Sequence, residues 1–385
     1  PVQSFSLRSH GAAVSAMDSN TSSGATFISA DSDGWVIWWN ISIKRPILKW
    51  KAHQSKIISV KLLGHERVIT QSRDSSVKIW QLGHSSDPTM DPIIEVPINS
   101  LNFCNVEFHE PILFTPATID SNNFDMYKLQ VSKDGYEISR VIANYNVHEL
   151  YSRQSPVIDI PSDPELARSG FGIIMRMVFI EEESNLFLGF ESGHVIGVHI
   201  DFQESVENVK SNERTVINKD PKLKLIYSDS SHSPNPIITL VHLNNRIISG
   251  STNKKLVIHD YISSRQQVKK LSNAGIESIC PHGDGIIVGF WNGVIEGVRL
   301  DSDDHIFEFK RSLPQINLTE SNSTSVNETS QEKRNAIRLS CIQSISIPST
   351  KSTNLSYKDM VRARRSGLGR PLILAGYEDG TIVAF

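Results

Sequence analysis

A strand–turn–strand unit recurs along this 385-residue chain, and nothing else in the sequence limits its fold as much. Residues 25–40 read ATFISADSDGWVIWWN and residues 66–81 read ERVITQSRDSSVKIWQ. Their starts lie 41 residues apart, inside the ~40–45-residue period of four-stranded propeller blades. A third copy, NRIISGSTNKKLVIHD, occupies 245–260. Three further copies share a turn of the form Gly-aromatic-x-(Ser/Asn/Asp)-Gly: GFESG at 189–193, GFWNG at 289–293 and GYEDG at 376–380. Apolar alternation on both sides of each turn marks strands. Gly, Asn and Asp tolerate the positive φ that a tight hairpin demands. A unit of this kind cannot bury its apolar face alone and must stack on its neighbours.

These repeats predict one all-β domain over 1–385, a seven-bladed WD40-type β-propeller. The blades are expected near 14–50, 57–98, 101–144, 172–228, 236–271, 275–310 and 337–385. The seventh offers three strands, while the run 3–7 is a spare strand ahead of the first blade. Pairing the two closes the ring and removes two exposed edges. Long loops are expected at 146–170, 202–221, 314–335 and 349–370. The stretch 314–335 has little to bury and reads as disordered. The loop 349–370 carries Lys351, Lys358, Arg362, Arg364, Arg365 and Arg370 against Asp359. A solvated loop, a contact for an acidic protein and a nucleic-acid contact all fit that charge; its middle part also suits a short helix.

The first two blades share a polar set. Asp33 precedes Trp39 by six residues, and Asp74 precedes Trp80 by six. Ser29 and Thr70 stand four residues before each Asp, and His10 and His53 precede the first strands. A buried indole N–H, imidazole and carboxylate must all find partners. The set predicts a network in which Asp holds His, His meets Ser/Thr, and the hydroxyl takes the indole N–H. Because it repeats with the blade, it is assigned to structure and not to catalysis. Elsewhere it decays: Asn253 and His259 stand in for Asp and Trp in blade five, and in blade seven Asp379 is kept but Phe385 replaces Trp. Those blades are expected to rely more on apolar packing.

Other chemistry finds little support. The formal net charge is −3, so no global field draws nucleic acid. Three scattered cysteines, Cys104, Cys280 and Cys341, make neither a disulfide framework nor a zinc site. No apolar run approaches the ~18–20 residues of a membrane span, and the N-terminal run lacks a signal-peptide core. His194 and His199, five apart, fall on opposite strand faces; His282 with Asp284 reads as a surface loop. Nucleotide-loop, zinc-protease and nucleophile-elbow motifs are missing. No catalytic, metal or cofactor residues are therefore assigned. The residue before each turn Asp or its substitute points to one rim: Ser32, Arg73, Glu191, Thr252, Trp291 and Glu378. Trp and Arg are typical interface anchors, which makes Trp291 and Arg73 the leading contacts. Glu191, Trp291, Tyr377 and Glu378 are also raw material for a cage around a modified histone tail. Arg362, Arg364 and Arg365 complete the candidate partner surface. A propeller enzyme is the third alternative, and the inner strands show no repeated catalytic set for it.

Four segments carry a family resemblance: SFSLRSHGAAVSAM, SADSDGWVIWWN, TQSRDSSVKIWQL and LILAGYEDGTIVAF. Together they resemble the fungal ASTRA-associated protein 1 family, WD-repeat subunits similar to the animal G-protein β-subunit-like WD-repeat family. The resemblance implies a non-catalytic scaffold without a cofactor. It implies links to the Tel2–Tti1–Tti2 cochaperone and to the stability of phosphatidylinositol-3-kinase-related kinases. It implies chromatin-associated assemblies with Tra1 and the Rvb ATPases, a nuclear location with room for a cytoplasmic pool, and a monomer when alone. It carries over no binding residues.

Overall fold

The computed structural model describes residues 3–19, 26–64, 67–82, 91–132, 135–154, 170–202, 205–208, 215–218, 221–302, 305–311, 337–346 and 371–385. Among them are seven four-stranded antiparallel sheets and one separate two-stranded ribbon. The fold is an all-β, seven-bladed β-propeller. Two compact units make up the chain, residues 1–65 with 272–385, and residues 66–271.

In the first unit, blade one comprises Val14–Asp18, Thr26–Asp31, Trp35–Asn40 and Arg45–Lys51. Blade six comprises Ile276–His282, Gly285–Phe290, Val294–Arg299 and His305–Lys310. Blade seven takes Leu339–Ser346, Pro371–Tyr377 and Thr381–Ala384, and its fourth strand is the N-terminal Phe5–Arg8. Phe5 pairs with Ala384 and Arg8 with Thr381. The strand Pro371–Tyr377 shows no polar alternation, because both of its faces are covered. Leu372 and Leu374 pack with Leu7, Phe27 and Trp39. Ile373, Ala375 and Tyr377 pack with Cys280, Ile287 and Ile295. Each such aliphatic side chain stabilises by about 1.5–3 kcal/mol when fully buried. The first hairpin turn needs Gly34: its φ is +86°, and a Cβ there would collide with the His53 carbonyl.

In the second unit, Arg67–Ser72, Ser76–Gln81 and Ile94–Pro97 continue blade two. Blade three holds Glu107–His109, Ile112–Pro116, Phe124–Ser132 and Gly135–Tyr145. Blade four holds Ile174–Ile180, Asn185–Phe190, Val195–Asp201 and Lys222–Asp229. Blade five holds Ile237–Leu243, Arg246–Ser251, Lys255–Asp260 and Arg265–Lys270. Alternation again splits one strand between two cores. Leu186, Leu188 and Phe190 join Phe114, Phe124 and Met177, while Phe187 joins Ile237, Leu240 and Ile247.

Three expectations change here. Blade three was expected from 101, but its first strand is only Glu107–His109. Side chains hold the backbone before it: Asn99 Oδ1 accepts Leu101 N–H at 2.8 Å, and the Ser121 hydroxyl donates to the Leu101 carbonyl. Such local bonds compete with a sheet ladder. The segment 146–170 opens with a helix, Val147–Gln154, capped by Asn146 Oδ1 on Glu149 N–H at 3.1 Å, with Val147 and Leu150 buried. The insertion 202–221 contains a paired ribbon, Ser205–Asn208 with Thr215–Asn218. The segments 314–335 and 349–370, with Arg362, Arg364 and Arg365, lie outside the described residues.

Candidate functional site

The polar sets come first, because their geometry decides whether they are sites. In blade one, His10 Nδ1 lies 2.8 Å from Asp31 Oδ2, and His10 Nε2 lies 2.7 Å from Ser29 Oγ. The Trp39 indole N–H donates to the same hydroxyl at 2.7 Å. The carboxylate is thus Asp31, not the expected Asp33, which is exposed in the turn. Ser29 and Asp31 are two residues apart on one strand and share a face; Asp33 lies past the strand end. Asp31 Oδ1 also accepts the N–H groups of Asp33 and Trp35, at 3.0 and 2.9 Å. Burial pushes the Asp31 carboxyl up, but the His10 and backbone hydrogen bonds outweigh it and hold it below its ordinary value. In blade two, the Trp80 indole donates to Thr70 Oγ1 at 2.8 Å, His53 is buried, and Asp74 accepts from the Ser76 hydroxyl at 2.8 Å.

Blade five keeps the network with altered chemistry. His232 Nε2 lies 2.9 Å from Ser249 Oγ, and His259 Nε2 lies 2.6 Å from the same oxygen. His259 occupies the Trp place, and its Nδ1 meets the Tyr227 hydroxyl at 2.9 Å. Sequence reasoning assigned this blade to apolar packing and missed His232. Spacing carries the signal: His232 is 17 residues before Ser249 and His259 is 10 after it. Thr70 and Trp80 are also 10 apart. All three side chains are fully buried. Burial holds His232 down at about 4 and also lowers His259. These groups bond one another at Ser249 inside the sheets, while His232 Nδ1 has no partner among the described residues.

The rim offers the contrasting case. Trp291 is 36% exposed. Its backbone N–H donates to the Gly275 carbonyl at 2.9 Å, and a Cβ on Gly275 would lie 2.6 Å from its ring. Glycine is therefore required under the indole. The Arg338 guanidinium sits 5.3 Å from the indole centroid. It pairs with Glu277 at 3.1 Å and with Glu378 at 3.7 Å. Tyr377 is fully buried, so it cannot line a surface cage. Its side chain lies in the core of blades six and seven, under Arg311 at 4.9 Å, and Arg311 pairs with Asp379 at 3.0 Å. Arg338 already holds the place over Trp291 that a cationic ligand would take.

Arg73 and Glu191 belong to the other unit. Arg73 is exposed over Phe103 at 5.0 Å, and Glu191 is exposed with Oε2 3.4 Å from Ile173 N. Trp35 and Trp38 are half-buried, Trp35 under Lys49 and Lys51. His194 meets Ser192, His199 meets Asn185, and His282 meets Ser344. Among the described residues no group of three or more His, Cys, Asp or Glu is placed to hold a metal. Burial pushes the Cys280 and Cys341 thiols up to about 12. No helix among the described residues is long and apolar enough to cross a membrane.

The model of the ASTRA-associated protein 1 family matches residues 3–385. ASTRA-associated protein 1 of Scheffersomyces stipitis is 41% identical, over 100% of this chain and 98% of its own length. The Debaryomyces hansenii protein of the same name is 31% identical, over 100% and 99%. The Candida tropicalis protein is 33% identical, over 100% and 99%. Sequence likeness over the whole chain and the propeller built by its repeats agree: this chain belongs to the ASTRA-associated protein 1 family.

Proposed function

We propose that this chain is a non-catalytic scaffold subunit that joins ASTRA-type assemblies through a propeller rim centred on Trp291. The relatives' name supplies the assembly. The observation that carries the reading is a part-exposed Trp fixed in place by Gly275, Arg338, Glu277 and Glu378. Preorganised Trp and Arg are the residues that anchor interfaces. The cation–π contact and exposed ion pairs each contribute only about 0–1 kcal/mol to the fold. They add little stability, but they fix the shape presented to a partner. The buried His, Ser and Asp sets, by contrast, are engaged in holding strands and turns.

In this reading the partners are the Tel2–Tti1–Tti2 cochaperone, Tra1 and the Rvb ATPases. The role is the maturation and stability of phosphatidylinositol-3-kinase-related kinases and of chromatin-associated complexes, in the nucleus. Nothing favours a histone-cage reading, because Arg338 covers the indole and Tyr377 is buried. Affinity capture of the tagged chain from fungal cells tests the rim. Trp291→Ala is expected to reduce recovery of Tel2–Tti1–Tti2 by at least about tenfold, the size of a ~1.4 kcal/mol hot spot. Full recovery with that variant would exclude the rim as the contact.

A further inference from the structure

Blade three and the segment leading into blade four enclose a pocket that the Trp291 rim does not use. Its volume is about 170 Å³, and Asp120, Asn122, Asn146, His148, Phe171 and Phe190 line it. Sites for whole small molecules run to ~300–1,000 Å³, so this one suits a single side chain. The floor is apolar: Phe171 packs on Phe190 at 5.1 Å and on His148 at 5.0 Å. The polar wall has capacity to spare. One Asp120 oxygen accepts Asn122 N–H at 3.0 Å, and no cation among the described residues pairs with that carboxylate. Neither the Asn122 amide nor the His148 ring nitrogens have a hydrogen-bond partner among the described residues.

Charge selects the occupant. Among the described residues that line the pocket, Asp120 is the one full charge. Glu191 adds a second carboxylate beside Gly172, where a Cβ would come 2.9 Å from its Oε2. The helix Val147–Gln154 starts at the pocket, but Asn146 already caps its N-terminus, which offsets the partial positive charge there. An acidic side chain would face two carboxylates; an ammonium or guanidinium group would meet acceptors and aromatic faces.

Next to Asp120 stand two exposed aliphatic residues, Ile119 at 76% and Leu101 at 57%. Asn99 ties them together: its Nδ2 donates to the Ile119 carbonyl at 2.9 Å, and its Oδ1 accepts Leu101 N–H. Lone exposed aliphatics are ordinary, but a fixed pair beside a polar-walled pocket forms a surface. We propose that the pocket and the Ile119–Leu101 pair dock a segment of a partner protein, with one Lys or Arg side chain in the pocket and apolar side chains on the pair.

Methyl NMR of the full chain, labelled at Ile and Leu, tests this with the capped tripeptides acetyl-Leu-Arg-Leu-amide and acetyl-Leu-Glu-Leu-amide. The Arg peptide is expected to shift the Ile119 methyl saturably in the millimolar range, and the Glu peptide is not. Asp120→Asn keeps the acceptor for Asn122 N–H and is expected to weaken binding about fivefold, the size of one half-exposed charge pair. Ile119→Thr, read at the Leu101 methyls, is expected to weaken it as well. Equal shifts from both peptides, no saturable shift, or unchanged affinity in Asp120→Asn with a native methyl spectrum would each overturn the proposal.

Discussion

At the scale of single residues, one hydroxyl organises each polar network, and the residues around it are exchangeable. Ser29 joins His10 to Trp39, and Ser249 joins His232 to His259. An imidazole nitrogen takes the place of an indole N–H because both reach the hydroxyl from a flat ring at the same strand position. The carboxylate is less exchangeable. Asp31 bonds His10 Nδ1 and ties the turn through two N–H groups. Asp31→Asn is expected to destabilise by about 1–3 kcal/mol, while Asp33→Asn is expected to stay within about 0.5 kcal/mol. Urea unfolding of the two variants measures the difference. Equal losses would return the role to Asp33. The blade-five histidines give a pH dependence. His232 falls from 6.5 to about 4 through burial, so the folded protein binds fewer protons than the unfolded chain between those values. That stabilisation is complete above pH 6.5 and is lost as pH falls toward 4. His232→Gln is expected to flatten stability against pH in that window, as followed by denaturant midpoints.

At the scale of elements, the N-terminal strand has the largest consequence. Phe5–Arg8 contributes Leu7, 4% exposed, to the core shared with Trp39 and Ile382. Leu7→Ala is expected to cost about 2–5 kcal/mol. Deleting residues 1–8 is expected to lower the thermal midpoint further, since it also bares the edge of Thr381–Ala384. An unchanged midpoint in scanning calorimetry would deny this strand a structural part. Blades one, five and six were legible because alternation and turn chemistry agree there. Blade three was less so. Apolar residues such as Leu101 and Phe103 imitate a strand, and only side-chain bonds from Asn99 and Ser121 reveal a bracketed loop. The helix Val147–Gln154 was hidden for a similar reason: two buried residues, Val147 and Leu150, make too short an apolar face to register as a period.

At the scale of the whole molecule, the question is how a scaffold separates the groups that hold it from those it presents. Residues of the WD networks are buried and mutually bonded, and changing them is expected to act on stability. Trp291 makes its contacts at the surface, so Trp291→Ala is expected to leave the thermal midpoint within about 2 °C. The same variant is expected to lose the assembly. A parallel fall in midpoint and in partner recovery would mean that the effect runs through folding.

The sequence by itself determined the repeat, the number of blades, the pairing of the N-terminal run with the last blade, and the family. These follow from local signals: alternation of period two, turns that need positive φ, and spacing of the repeat. Tertiary structure alone decided which acid holds His10, that His232 and His259 share Ser249, that Tyr377 is core, and that Arg338 covers Trp291. It alone placed Asp120 and His148 in one pocket. The physical reason is common to all of these. Each depends on which side chains meet across turns, strands and sheets, and a residue's distance along the chain does not report its distance in space.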